Sequence, residues 1–157
     1  MFLIDKILMI PLIFSSADTL EKQIMIGSYV LLIELRKLTT IRIGKLGRVN
    51  FPASWYVYVG SAMNGIKQRV NRHFSNQKKL HWHIDYFLQT AILQKAYYKE
   101  SKQRTECEIA HVFSENFSSI PSFGSSDCTC NSHLFYGKRQ DLLENINHLR
   151  LNEFNAK

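Results

Sequence analysis

The chain has 157 residues, enough to close one hydrophobic core without disulfides or a partner. With 45% hydrophobic residues and no low-complexity tract, disorder is excluded for most of its length. Twenty Lys and Arg against thirteen acids leave a formal charge of +7, and the distribution of that charge matters more than its sum.

Residues 1–23 are expected to form an N-terminal extension. Met1 to Phe14 is apolar, but Asp5 and Lys6 interrupt it. No basic region precedes it, and it is too short to span a bilayer, which weighs against a signal peptide and against a membrane span. Three cysteines, two of them one residue apart, make a poor disulfide framework and fit a reducing cytosol, so a cytoplasmic location is expected.

From Gly27 to Leu35 the apolar, β-branched run GSYVLLIEL predicts a buried strand. A turn at Arg36–Thr39 leads to a short strand at Thr40–Ile43, and Gly44 and Gly47 then predict a loop through Pro52. Trp55–Val59 is the next strand. Side chains alternate there, so Tyr56 and Tyr58 share one face while Trp55, Val57 and Val59 share the other.

Ile66, Val70 and Phe74 recur every four residues and predict a helix, with Asn64 as its N-cap. Arg69 and His73 fall at one edge of that stripe and can face a cleft, whereas Arg72 lies nearly opposite its centre. A helix-like Ile84, Phe87, Leu88, Ile92 face precedes a strand around Ala96–Tyr98. Thr105 to Glu108 reads as a capping box opening a further helix, which ends in loop over Ser118–Gly124. A final helix is expected from about Arg139 to Phe154. These elements predict a 24–137 domain with a 138–157 helix packed on it.

Between Glu34 and Asp85 there is no acid, and that interval holds ten basic residues, half of all the Lys and Arg in the chain. A solvated basic face is the bland reading of such a run, and a nucleic acid partner the sharper one.

Phosphodiester hydrolysis requires an activated oxygen nucleophile, positive charge for the transition state and a carboxylate to hold a metal. Tyr29 starts one strand, Tyr58 ends another, and Arg69 follows on a helix, so pairing of the strands would bring these groups to one end of the sheet.

In these residues the chain resembles the GIY-YIG nucleases. Gly27-Ser28-Tyr29 stands at the first tripeptide of that family and Tyr58-Val59-Gly60 at the second, followed by Ser61-Ala62 and a helical arginine. It is most similar to a branch of small proteins that occur alone or fused to base-excision DNA glycosylases. That likeness extends through His81-Trp82-His83-Ile84-Asp85-Tyr86, Glu106-Cys107-Glu108 and Phe123 to His133.

The resemblance implies an α/β (α+β type) fold, a small mostly antiparallel sheet flanked by helices. It also implies a divalent-metal-dependent endonuclease acting on DNA rather than RNA, in repair or processing, with a repair protein as a possible partner. Tyr58 would be the general base or the tyrosine that orients the water, with Tyr29 as its partner. Arg69 would clamp the phosphate, His73 would assist, and Glu106 would hold one Mg²⁺ or Mn²⁺. Glu106 is chosen over Glu108 because Ile109 and Ala110 follow it at family spacing and the capping box already explains Glu108.

Substrate contacts are expected from Lys67, Arg72, Lys78, Lys79, His81 and His83. Two departures stand out. The tripeptide glycines Gly27 and Gly60 are 33 positions apart, which requires an inserted loop carrying Arg36, Lys37, Arg42, Lys45 and Arg48, and Ser28 replaces an apolar residue.

Cys128, Cys130 and His133 offer three zinc ligands, but a structural site takes four and no second cysteine pair completes the set, so zinc is disfavoured. Trp82 is expected in the core rather than as a base-stacking platform. The competing functional class is a noncatalytic nucleic-acid-binding module of the same fold, and a zinc-stabilised interaction protein is a third.

Overall fold

The computed structural model describes residues 23–156; of the expected extension at 1–23, residues 1–22 lie outside them. Among the described residues, eight strands and four α-helices follow in the order β1 (Gly27–Leu35), β2 (Thr39–Ile43), β3 (Gly47–Phe51), β4 (Ser54–Ala62), α1 (Ile66–Phe74), α2 (His83–Phe87), β5 (Ile92–Glu100), α3 (Glu106–Asn116), β6 (Ser118–Ser119), β7 (Leu134–Gly137), α4 (Arg139–His148) and β8 (Asn152–Phe154). The expected α+β class is what the chain adopts. Six strands form one antiparallel sheet in the order β6-β7-β4-β1-β5-β8, and β2 and β3 pair separately.

The central strand β1 is buried on both faces because its two alternating sets of side chains serve two cores. Tyr29, Leu31 and Ile33 join Tyr56 and Tyr58 of β4 beneath α1, α2 and the β2–β3 hairpin. Val30 and Leu32 join Val57 and Val59 beneath Ile109 and Phe113 of α3 and Leu142 and Ile146 of α4. The face assignment drawn from strand alternation in WYVYV therefore holds.

Four local expectations fail for identifiable reasons. The segment after Gly44 is a hairpin rather than a loop, since Ile41 and Val49 pair across it and Ile43 and Phe51 anchor it in the core. Gly65, not Asn64, precedes α1, and no side chain caps that helix.

Thr105 does occupy the N-cap of α3 but makes no capping bond, because its hydroxyl is hydrogen-bonded at 2.8 Å to Ser28. The polar Ser28 thus ties β1 to the start of α3. The last helix stops at His148. Arg150 has φ 52°, and the chain then turns to add β8 to the sheet edge beside β5.

Candidate active site and a cysteine–histidine cluster

The antiparallel pairing of β1 with β4 places Tyr29 opposite Gly60 and Leu31 opposite Tyr58, so both tyrosines stand on one face at one end of the sheet. Their ring centroids are 6.4 Å apart. The tyrosine ring of β1 lies across Gly60, where any β-carbon would overlap it. Helix α1 adds His73, whose Nε2 is hydrogen-bonded to Tyr29 Oη at 2.8 Å.

Burial raises the Tyr29 phenol well above its ordinary range, with Tyr58 adding to the shift. Burial likewise raises Tyr58, against the opposing charge of Arg69. Both are neutral hydroxyls at neutral pH. Of the two roles open to Tyr58, this chemistry favours orienting a water over acting as a phenolate base. His73 is pushed down to about 3, by burial first and by the Lys78 ammonium second, and is therefore a neutral imidazole.

A cleft of about 510 Å³ opens above these groups and is lined by Tyr29, Tyr58, Arg69, His81, Trp82, His83, Glu106, Asp127 and His133, among others. Arg69 holds its guanidinium carbon 5.5 Å from the centroid of the Trp82 ring. Trp82 is 45% exposed, which overturns its expected place in the core. His83 Nδ1 accepts the Gly124 amide at 3.0 Å, and burial lowers the ring's pKa, so its proton resides on Nε2.

Glu106 opens α3 at the cleft wall and is 8% exposed. Its Oε2 is buried without a hydrogen-bond partner, and its Oε1 lies 3.8 Å from Arg104, which reaches Asp127 at the same distance. Glu108 is exposed and absent from the lining. Geometry therefore selects Glu106, although the capping-box reason for that choice has gone.

The basic residues divide. His81 and His83 line the cleft, but Lys67, Arg72, Lys78 and Lys79 do not. Lys67 and Lys79 are exposed outside it. Arg72 grips the fully buried Asp85 through two 2.8 Å contacts, and Asp85 also accepts the His81 and Trp82 amides at 2.9 Å. Burial alone would raise the Asp85 carboxyl, but these donors outweigh it and hold it at about 2. The pair fixes the start of α2 and hence the cleft residues His81 and Trp82. Lys78 donates to the Arg72 and His73 carbonyls at 3.3 and 2.9 Å, closing the end of α1.

Beside the cleft, and sharing His133 with its lining, Cys107, Cys128, Cys130 and His133 place one ligand atom each within 4.8 Å of one another, a Cys₃His set that can hold a metal ion such as zinc. The ligand missing from the sequence pattern is Cys107, supplied by α3 from more than twenty residues upstream. Where the spacing rule calls for a second cysteine pair, the fold brings a lone cysteine. As free thiols Cys107 and Cys130 are raised by burial, Cys107 to about 12.

Among the described residues no helix is long and apolar enough to cross a membrane. Residues 28–154 match the family described as Domain of unknown function DUF123. Neither a curated protein nor a solved structure matches the chain.

Proposed function

The chain belongs to the DUF123 family, and we propose that it is a divalent-metal-dependent endonuclease that hydrolyses phosphodiester bonds in DNA, acting in the cytoplasm in repair or processing. The observation that carries this reading is the convergence of two neutral tyrosine hydroxyls, the Arg69 guanidinium and a buried Glu106 oxygen without a partner on one cleft. The ordered GIY-YIG-like motifs support it independently.

An unpartnered carboxylate oxygen suits a hard cation, so Glu106 would hold one Mg²⁺ or Mn²⁺, which would supply charge stabilisation at the phosphate. Arg69 binds the scissile phosphate and opposes its developing charge. The Tyr58 hydroxyl orients the attacking water, and His73 holds Tyr29 in place behind it. The His83 Nε2–H donates to a phosphate oxygen, and the exposed face of Trp82 stacks on a base.

The test is cleavage of supercoiled plasmid and branched DNA with Mg²⁺ or Mn²⁺ by wild type, Arg69→Ala and Glu106→Gln. Metal-dependent cutting lost in both variants is expected. Cutting that persists in both would overturn the proposal, and DNA binding without any cutting would establish the noncatalytic module.

A further inference from the structure

The Cys₃His set joins three segments that build the cleft. Cys107 follows Glu106 directly at the start of α3. Cys128 and Cys130 lie in the loop after Gly124, whose Ser126 and Asp127 line the cleft. His133 immediately precedes β7 and exchanges bonds with β4: its carbonyl accepts the Val59 amide at 2.9 Å and its Nδ1 lies 3.1 Å from the Val59 carbonyl. A carbonyl only accepts, so Nδ1 carries the proton and Nε2 presents its lone pair. That Nε2 lies 3.5 Å from Cys128 Sγ and 3.9 Å from Cys107 Sγ.

Tetrahedral zinc, with Zn–S of about 2.3 Å and Zn–N of about 2.0–2.1 Å, sets S···N edges of about 3.5–3.6 Å and S···S edges of about 3.8 Å. The observed separations bracket the S···N value. Four donors this close leave room for a single ion, whereas an iron–sulfur cluster holds its thiolates farther apart. The imidazole is fixed by a backbone carbonyl on its other nitrogen, as metal-ligating histidines commonly are.

We propose that Cys107, Cys128, Cys130 and His133 bind one structural zinc ion that clamps the 125–131 loop and the start of α3 onto β4. The ion is distinct from the one at Glu106: all four protein positions are filled, so none is open to substrate. Its role is to hold Glu106 on α3 and Tyr58 on β4 in a fixed relation, because Cys107 neighbours the first and His133 bonds the residue after the second.

The test is elemental analysis of the intact protein purified without chelator, followed by exchange of the bound metal for Co²⁺. About one zinc per chain is expected, with Co²⁺ giving the visible bands and thiolate charge-transfer absorption of a tetrahedral site. Cys130→Ser should lose at least about tenfold in zinc affinity, and metal removal from wild type should lower Tm by more than about 10 °C. Zinc well below stoichiometry together with no Co²⁺–thiolate spectrum would overturn the proposal, as would stoichiometric iron. These readouts need no nuclease activity, so they stand or fall apart from the endonuclease proposal.

Discussion

Tyr29 packs its ring against Gly60, its cross-strand partner, so closely that a β-carbon at position 60 would overlap the phenol. Gly60 is thus needed for the space it leaves. Gly60→Ala is expected to destabilise the fold by about 1–3 kcal/mol, the usual cost of overpacking, and to displace Tyr29 from His73. Urea unfolding checks the first effect; a stability within about 0.5 kcal/mol of wild type would refute the close approach.

Burial of His73 beside the Lys78 ammonium makes the site sensitive to acid. His73 sits at about 3 in the folded chain against 6.5 ordinarily, so the unfolded chain binds the proton more readily. Its neutral form is fully compatible with folding above about pH 6.5, and stability is lost as pH falls from there toward 3. Between pH 6.5 and 5 this one group should cost about 1.5 kcal/mol. His73→Gln should lose correspondingly less over that interval by urea unfolding, and identical pH dependence in the two proteins would count against the buried neutral imidazole.

Trp82 presents an exposed indole beside Arg69 in the cleft, an arrangement suited to stacking a base. Trp82→Ala should weaken single-stranded oligonucleotide binding by about 1–3 kcal/mol with little change in Tm, while Trp82→Phe keeps most of the affinity. Fluorescence anisotropy measures both. Unchanged affinity in the alanine variant would remove Trp82 from the interface.

Basic residues of similar appearance in the sequence should behave in opposite ways. Arg72→Ala strands the buried Asp85 and is expected to cost about 3 kcal/mol of stability. Arg42 and Arg48 instead face each other across the exposed side of the hairpin, where like charges repel. Arg48→Gln should leave stability unchanged or slightly raised, yet reduce the salt slope of DNA binding by about 0.9 if it contacts a phosphate. A salt slope equal to wild type would exclude the hairpin from the interface.

Strand alternation made both faces of β4 legible, and the apolar stripe of α1 located Arg69 and His73 because each depends on local periodicity. Side-chain choices set by tertiary partners were not legible. Thr105 has the form of a capping residue, but Ser28, 77 positions away, takes its hydroxyl. Arg72 looks like a phosphate contact until Asp85 is seen beneath it. Trp82 is not legible because apolar bulk suggests burial, whereas the amides of His81 and Trp82 donate to the Asp85 carboxylate and hold this turn at the rim. The fourth member of the metal-ligating set is not legible in the sequence because Cys107 is brought to the others by packing of α3, and no spacing rule links it to Cys128.

The assignment of Glu106 rather than Glu108 is most directly tested by Mn²⁺-dependent cleavage of an end-labelled DNA duplex with Glu106→Gln and Glu108→Gln side by side. The buried, unpartnered oxygen of Glu106 and the exposure of Glu108 predict that the first variant loses at least about a hundredfold in rate and the second stays within about twofold of wild type. Equal loss in the two variants, or full activity in Glu106→Gln, would contradict a hydrolytic site built on this cleft.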